Sequence, residues 1–194
     1  TLLHSSSAHN VWLFSDSKPA DLLAVARLRV SLGTFLTQGP HSEFREVVGD
    51  ISLWRCLLVA KGNQTKAREI FLEHLKVRAR YNLDDIRYRL ARQGITNETL
   101  RNYDISDFEH GETFQRFGTF LMNAGMTLDG DPVFIWWMDT GKFAEMATPE
   151  YKDECCGFVC ENLVRRQLQL DYLSHQQDRL VQTIVIGSGY SQSL

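Results

Sequence analysis

The sequence predicts an α/β fold in which a helical module precedes the start of an α/β domain with the order strand, long helix, strand. Two observations lead to this prediction. Residues 19–103 carry apolar side chains at helical spacing, interrupted by Gly and Asn, which indicates several short helices. Apolar runs at residues 133–138 and 180–186 flank a long helical segment at 148–175, the order of a parallel βαβ crossover.

Three segments of different composition divide the chain. Residues 1–17 are polar and Ser-rich, and we predict an extended arm there that packs through its few apolar side chains. Those side chains are Val11, Leu13 and Phe14. Residues 18–104 carry the helical module, and residues 105–194 carry the predicted strand, helix and strand.

Helix starts in the module are expected at Pro and at small polar residues. Pro19 suits a first helical turn, because its missing N–H would be unpaired there anyway. Other starts are expected where a side-chain oxygen can accept a hydrogen bond from a free backbone N–H. These positions are Asp50 or Ser52, Thr65 and Asp84. A further short helix is predicted over residues 96–103.

The first predicted strand is apolar on both faces. Side chains alternate along a strand, so Phe134, Trp136 and Met138 share one face. Ile135 and Trp137 lie on the other face. A strand of this kind is typical of a sheet that is covered on both sides.

The long helix and the second strand complete the predicted crossover. Thr148 and Pro149 form a helix-start signal. The second strand is expected to end at the glycines Gly187 and Gly189. A sheet of two strands would leave an open edge, so we expect the α/β domain to be incomplete or to be covered by another chain.

Composition limits the classes of partner. The formal net charge is −3, and the basic residues between Lys61 and Arg92 alternate with acids, so we predict no nucleic-acid partner. No apolar run has the ~18 residues of a spanning helix, and we expect a cytoplasmic or organellar protein peripheral to a membrane. Because the chain begins at Thr1, the alternative that a targeting peptide was removed stays open.

The cysteines and the loop motifs predict no catalysis. Cys155, Cys156 and Cys160 lie within about one helical turn, without a C-x-x-C pair or a His at ligand spacing. No complete phosphate-binding loop or nucleophile elbow is present. We therefore predict no metal site, no catalytic residues and no enzymatic activity, and a reactive thiol in this cluster is the remaining enzyme hypothesis.

Three ordered stretches carry a family resemblance. They are residues 53–63 (LWRCLLVAKGN), residues 65–78 (TKAREIFLEHLKVR) and residues 129–134 (DGDPVF). In this order they resemble the two successive helices and the first turn and strand of the CRAL-TRIO lipid-binding family, which includes phosphatidylinositol, tocopherol and retinaldehyde transfer proteins. The resemblance implies the family's N-terminal helical module followed by the first part of its lipid-binding domain.

The resemblance also implies a function and a set of contacts. A non-enzymatic lipid-binding or lipid-transfer protein is expected, which needs no cofactor beyond a bound phospholipid or isoprenoid-type lipid in an apolar pocket. The implied lipid-contacting residues are Lys61, Phe134, Trp136, Met138 and Glu161. Asp131 stands where the family pattern has Arg, and Phe134 where some members have Tyr.

Those departures support an alternative. The chain is then a structural accessory subunit of a larger, membrane-associated complex, built on a degenerate CRAL-TRIO scaffold. The expected partner is a lipid or membrane surface under the first hypothesis, and other protein subunits that cover the open sheet edge under the second.

Overall fold

The computed structural model describes residues 13–190, without the side chain of Tyr190; residues 1–12, including Val11 of the predicted arm, and residues 191–194 lie outside the described residues. Helices and a sheet confirm the predicted α/β class. The described chain forms two units, residues 13–84 with 174–180 and residues 85–173 with 181–190. The predicted domain boundary after residue 104 lies inside the second unit.

Short helices build the first unit. They are α1 (Pro19–Leu32), α2 (Arg45–Val48), α3 (Asp50–Val59) and α4 (Gln64–Arg80). Helices α1, α3 and α4 pack on one another, and Leu13 of the predicted arm is buried in the apolar core that they form. Pro19 occupies the first turn of α1, as predicted. Short 3-10 turns occur at Gly33–Leu36 and Pro40–Glu43.

Two of the predicted helix caps are wrong. Helix α3 begins at Asp50, so neither Asp50 nor Ser52 occupies the cap position. The Asp50 carboxylate instead accepts a hydrogen bond from Nε of Arg29 at 3.1 Å. Helix α4 is capped by Asn63 and not by Thr65, because the Asn63 side chain accepts a backbone N–H of the first turn at 3.0 Å.

A buried ion pair explains why Asp84 does not open the next helix. Helix α5 (Leu83–Arg92) begins one residue earlier. The Asp84 carboxylate accepts from Nε and Nη2 of Arg78 at 2.7 and 2.5 Å. Arg78 is only 1% exposed, so a carboxylate that pairs with it satisfies a charge that would otherwise be buried alone.

The helix predicted over residues 96–103 is wrong. This segment forms turns, and its threonine side chains bind the backbone. The backbone N–H of Thr96 donates to Oγ1 of Thr99 at 2.9 Å, and that hydroxyl donates to the carbonyl of Gly94 at 2.8 Å.

The second unit contains a mixed sheet. Its strands are β1 (Gly118–Leu121), β2 (Val133–Asp139) and β3 (Ile184–Tyr190), in the order β1-β2-β3 among the described residues. Strand β2 pairs antiparallel with β1 and parallel with β3. The parallel pairing and the position of β2 follow the sequence prediction, whereas β1 was not predicted. Short elements accompany the sheet: a 3-10 turn at Ile105–Asp107, α6 (Gly111–Gln115), a 3-10 turn at Thr140–Lys142 and α7 (Phe143–Met146).

The bounds predicted for β3 are wrong. The strand begins at Ile184 and continues through Gly187 and Gly189 instead of ending at them. Gly187 pairs with Trp136, and Gly189 pairs with Met138. A side chain at Gly189 would lie 2.6 Å from the methyl group of Thr140, so the glycine permits the strand to pass close to that residue.

Helix α8 (Lys152–Gln176) connects β2 to β3. It ends within a residue of the predicted position, but it begins after Thr148 and Pro149, so the predicted start is wrong. The Thr148 hydroxyl donates to the carbonyl of Glu145 at 2.7 Å and thus closes the turn that follows α7. Residues 149–151 form a turn before α8 begins.

Candidate functional site

The side chains of strand β2 point alternately to two faces of the sheet, and these faces have different surroundings. Directly paired residues of neighbouring strands point to the same face. Phe120 and Gly187 therefore share the face of Trp136. Leu121 and Ile186, which pair with Ile135, point to the opposite face.

The face of Phe134 and Trp136 is filled by aromatic packing. Phe134 is 0% exposed. Phe120 contacts the Trp136 ring edge-on, with centroids 6.0 Å apart. Phe120 also lies 6.4 Å from Phe158 of α8, which stacks on Phe114 at 4.0 Å. Aromatic side chains from β1, β2 and α8 thus pack against one another on this face, which we call the filled face.

An arginine outside the predicted set of contacts lies on the same face. The guanidinium carbon of Arg166, on α8, is 4.3 Å from the ring centre of Phe134 and 5.9 Å from that of Trp136. Tyr103 lies nearby, with its ring 5.7 Å from Phe134. Burial raises the pKa of Tyr103 to about 12, although the positive charge of Arg166 opposes this shift.

The opposite face of the sheet is apolar and exposed. Leu121 is 43% exposed, and Ile186 is 53% exposed. Trp137 and Ile184 are exposed to a similar degree, and Ile135 at the centre is half-buried. We call these five residues the open apolar face. An apolar patch that spans all three strands is unusual on a surface that contacts only water.

Glu161 belongs to an ion-pair network. Its carboxylate accepts from Nε of Arg165 at 2.7 Å and from Nη2 of Arg89 at 2.8 Å. Arg165 also donates to the carbonyl of Asp107 at 2.7 Å, and Arg89 also pairs with Glu109. Glu161 and Arg165 are each 3% exposed, and every charge of this group has a partner, which is typical of a structural network.

An open cleft of about 490 Å³ lies beside this network. It is lined by both ends of the Arg89–Glu109 pair, by Gln93 and by Phe108. Both arginines that line the cleft are paired with carboxylates, so its lining does not present a free cation to a ligand.

The predicted site residues occupy different environments. Phe134 and Trp136 lie on the filled face, as does Met138, which is half-buried at the far end of β2. Glu161 is held by the two arginines. Lys61 belongs to the first unit, where it is exposed and follows α3 with a φ of 52°. The structure brings Phe134, Trp136 and Met138 together on one face.

Two of the three cysteines on α8 have raised thiol pKa values. Burial raises the pKa of the Cys160 thiol to about 11, and the neighbouring Cys156 thiol, with its Sγ 4.0 Å away, adds to the shift. Burial also raises the pKa of Cys155. Cys156 is exposed. Among the helix neighbours of these cysteines, Phe158 is buried, whereas Val159 and Leu163 are 44% and 45% exposed.

Some features are absent from the part of the chain that the structure describes. No group of three or more His, Cys, Asp or Glu side chains between residues 13 and 190 is arranged to hold a metal ion. Over the same residues, no helix combines the length and the apolar character needed to cross a bilayer. Comparison of the chain with protein-family models, with curated proteins and with solved structures finds no match.

Local sequence does not mark Arg166 as a site residue. Val164 and Leu168 are buried, and at about 100° per residue Arg166 lies on the opposite side of the helix from that pair, so this spacing alone favours a solvated side chain. In the structure the guanidinium groups of Arg165 and Arg166 each lie over a phenylalanine ring.

Proposed function

We propose that this chain is a non-enzymatic lipid-binding protein of the CRAL-TRIO type, and that the open apolar face contacts the acyl or isoprenoid chain of the lipid. The observation that carries the proposal is the exposed row Leu121–Ile135–Ile186, which crosses β1, β2 and β3 in register. Lipid chains bind to such surfaces because removal of apolar area from water is favourable, at ~25 cal/mol per Å².

The chemistry of this face supports a lipid in preference to a polar ligand. Its side chains are aliphatic, apart from the indole of Trp137, and carry no charge. Ligand sites for apolar molecules combine a largely apolar wall with few polar groups. The ordered motifs at residues 53–63, 65–78 and 129–134 support the same family and the same class of ligand. The raised pKa of the buried Cys160 thiol argues against this cysteine as a nucleophile.

The test compares two substitutions of matched chemistry. The protein is incubated with phosphatidylcholine vesicles, separated from them, and its bound lipid is extracted and quantified by mass spectrometry. Leu121→Asp places a charge on the open apolar face. Leu163→Asp places the same charge at an equally exposed leucine on α8, 45% against 43%.

We expect bound lipid in the wild-type protein and little change in lipid content in Leu163→Asp. In Leu121→Asp we expect at least a ~10-fold loss of bound lipid, since an Asp in contact with a lipid chain costs more than the ~1.4 kcal/mol that this factor represents. Wild-type protein that carries no lipid refutes the proposal. Equal loss in both variants refutes the assignment to this face.

A second candidate function is an accessory subunit of a larger complex. It is favoured by the position of β3, which lies at the end of the strand order in the described sheet and exposes Ile184, Val185 and Ile186. Exposed edges of this kind pair with other strands. Sedimentation of the purified chain distinguishes the candidates: a monomer that unfolds cooperatively contradicts an obligate assembly role, and concentration-dependent association supports it.

A further inference from the structure

Three donor nitrogens without acceptors lie on the filled face of the sheet. Nε and Nη2 of Arg166 are buried, and neither has a hydrogen-bond partner among residues 13–190. Nε1 of Trp136 is also buried without a partner in the same part of the chain. The guanidinium carbon lies 5.9 Å from the Trp136 ring centre, so the donors of both side chains lie on the same side of the sheet.

The unpaired atoms of Arg166 form one edge of its guanidinium. The Nε–H and one Nη2–H point in the same direction, at a spacing that the two oxygens of a carboxylate match. Elsewhere in this protein the same edge contacts a carboxylate. Nε and Nη2 of Arg78 both donate to Asp84, and those of Arg29 both donate to Asp50. At Arg166 the corresponding acceptor is not supplied by the described residues.

Stacking on Phe134 does not satisfy these donors. Arg166 is half-buried and forms a side-chain hydrogen bond with Tyr103, but a buried donor that lacks an acceptor is costly. This cost favours any ligand that brings an oxyanion to the exposed edge of the sheet and accepts from Arg166.

Space for the body of such a ligand lies beside Trp136. Gly187 pairs with Trp136 and faces the same side of the sheet, and no atom lies within 4 Å of the position that a Cβ of Gly187 would take. Val185, which pairs with Phe134, lies on that side as well and is 47% exposed. The opening at β3 is therefore apolar and adjoins the unpaired donors.

We propose that Arg166 and Trp136 form a carboxylate-binding site for an apolar monocarboxylate, such as a medium-chain fatty acid. The carboxylate accepts from Nε and Nη2 of Arg166 and from Nε1 of Trp136, and the apolar chain lies over Val185 and Gly187. The site is on the opposite face from the open apolar face and does not depend on the function proposed above.

The test measures decanoate binding to the full chain by isothermal titration calorimetry. Decanol, which has the same apolar chain and no charge, and inorganic phosphate, which has charge and no chain, are the comparison ligands. Decanoate is expected to bind at least ~10-fold more tightly than either, since charge-assisted paired hydrogen bonds are about twice as strong as neutral ones. Decanol or phosphate that binds as tightly as decanoate overturns the carboxylate assignment.

Variants test the residues. Arg166→Lys keeps the charge and loses the paired donors, so at least a ~10-fold weaker decanoate affinity is expected. Trp136→Phe removes one donor and keeps the ring, and ~5-fold is expected from the loss of one hydrogen bond. Gly187→Leu fills the opening and is expected to abolish binding. Arg80→Lys is the matched control, because Arg80 also stacks on an aromatic ring, that of Tyr81, but is exposed.

The variants also separate this site from binding elsewhere on the protein. Wild-type affinity in Arg166→Lys or in Gly187→Leu overturns the proposal. If Arg166→Lys does not fold, as judged by circular dichroism, Trp136→Phe and Gly187→Leu decide by themselves. Leu121→Asp alters the open apolar face alone, so unchanged decanoate affinity in that variant is expected, and a parallel loss would place decanoate on the open apolar face and overturn the assignment to Arg166.

Discussion

Replacing Glu161 by Ala is expected to destabilise the protein strongly, because Arg165 would then be a buried cation without a carboxylate. Arg165 is 3% exposed, and its Nε donates to Glu161 at 2.7 Å. Loss of one partner of a buried ion pair costs ~3–5 kcal/mol. Arg89, the other donor, has a side chain that is 32% exposed, so water can replace its lost acceptor and the cost falls mainly on Arg165.

The assay is urea unfolding followed by circular dichroism at 222 nm, together with a thermal melt. At ~2–4 °C per kcal/mol for a chain of this size, a Tm decrease of about 10 °C is expected. Glu73→Ala is the control, because Glu73 also pairs with a helix neighbour, Lys76, but the two side chains are 65% and 74% exposed. A change below ~0.5 kcal/mol is expected there.

The double variant Glu161→Gln/Arg165→Met tests the cause. It removes both charges, so it should lose less stability than the sum of the single variants. A loss below ~1 kcal/mol in Glu161→Ala, with cooperative unfolding, would refute the reasoning. Glu161→Ala also tests the sequence-based expectation that Glu161 contacts a lipid. If Glu161 served only as a ligand contact, its replacement would lower the lipid content and leave the Tm unchanged.

Three further predictions concern the first unit and the cysteines. Burial, together with the positive charge of Arg78, lowers the pKa of His74 from 6.5 to about 4. Between these two values the unfolded chain binds a proton that the folded chain does not, so the free energy of unfolding should fall by up to ~3 kcal/mol as the pH decreases through this interval. The urea midpoint of His74→Gln should therefore depend less on pH than that of the wild type, and identical profiles would contradict this. Titration of the native protein with a thiol reagent should modify the exposed Cys156 first and Cys160 only after unfolding, because the pKa of Cys160 is raised to about 11; equal rates would contradict this. Leu13→Ala should reduce the free energy of unfolding by ~2–5 kcal/mol, because Leu13 is 2% exposed in the helical core, and a loss below ~1 kcal/mol would show that this residue does not stabilise the unit.

Much of the secondary structure could be predicted where a local pattern was long and unambiguous. The apolar run of β2, the body of α8 and the start of α1 at Pro19 were found from apolar spacing and from a single restricted residue. Element ends were less predictable, because they depend on competing hydrogen bonds. Asp50 and Asp84 were expected at helix starts, but their carboxylates bind Arg29 and Arg78 instead.

The candidate site shows the same limit. Alternation along β2 correctly divided Phe134, Trp136 and Met138 from Ile135 and Trp137, but it could not show which face would be exposed. That depended on the contacts of α8, whose Phe158 and Arg166 cover the first face. The exposed partners Leu121 and Ile186 come from strands whose positions were missed or shifted.

The sequence by itself determined the α/β class and the parallel pairing of the two strands that flank a long helix, because each follows from local apolar patterns along the chain. Only the tertiary structure decided that β3 continues through Gly187 and Gly189, that Glu161 is held by two arginines, and that the donor edge of Arg166 is buried beside Trp136. These features arise between residues far apart in sequence, where burial and pairing depend on which side chains the fold brings together.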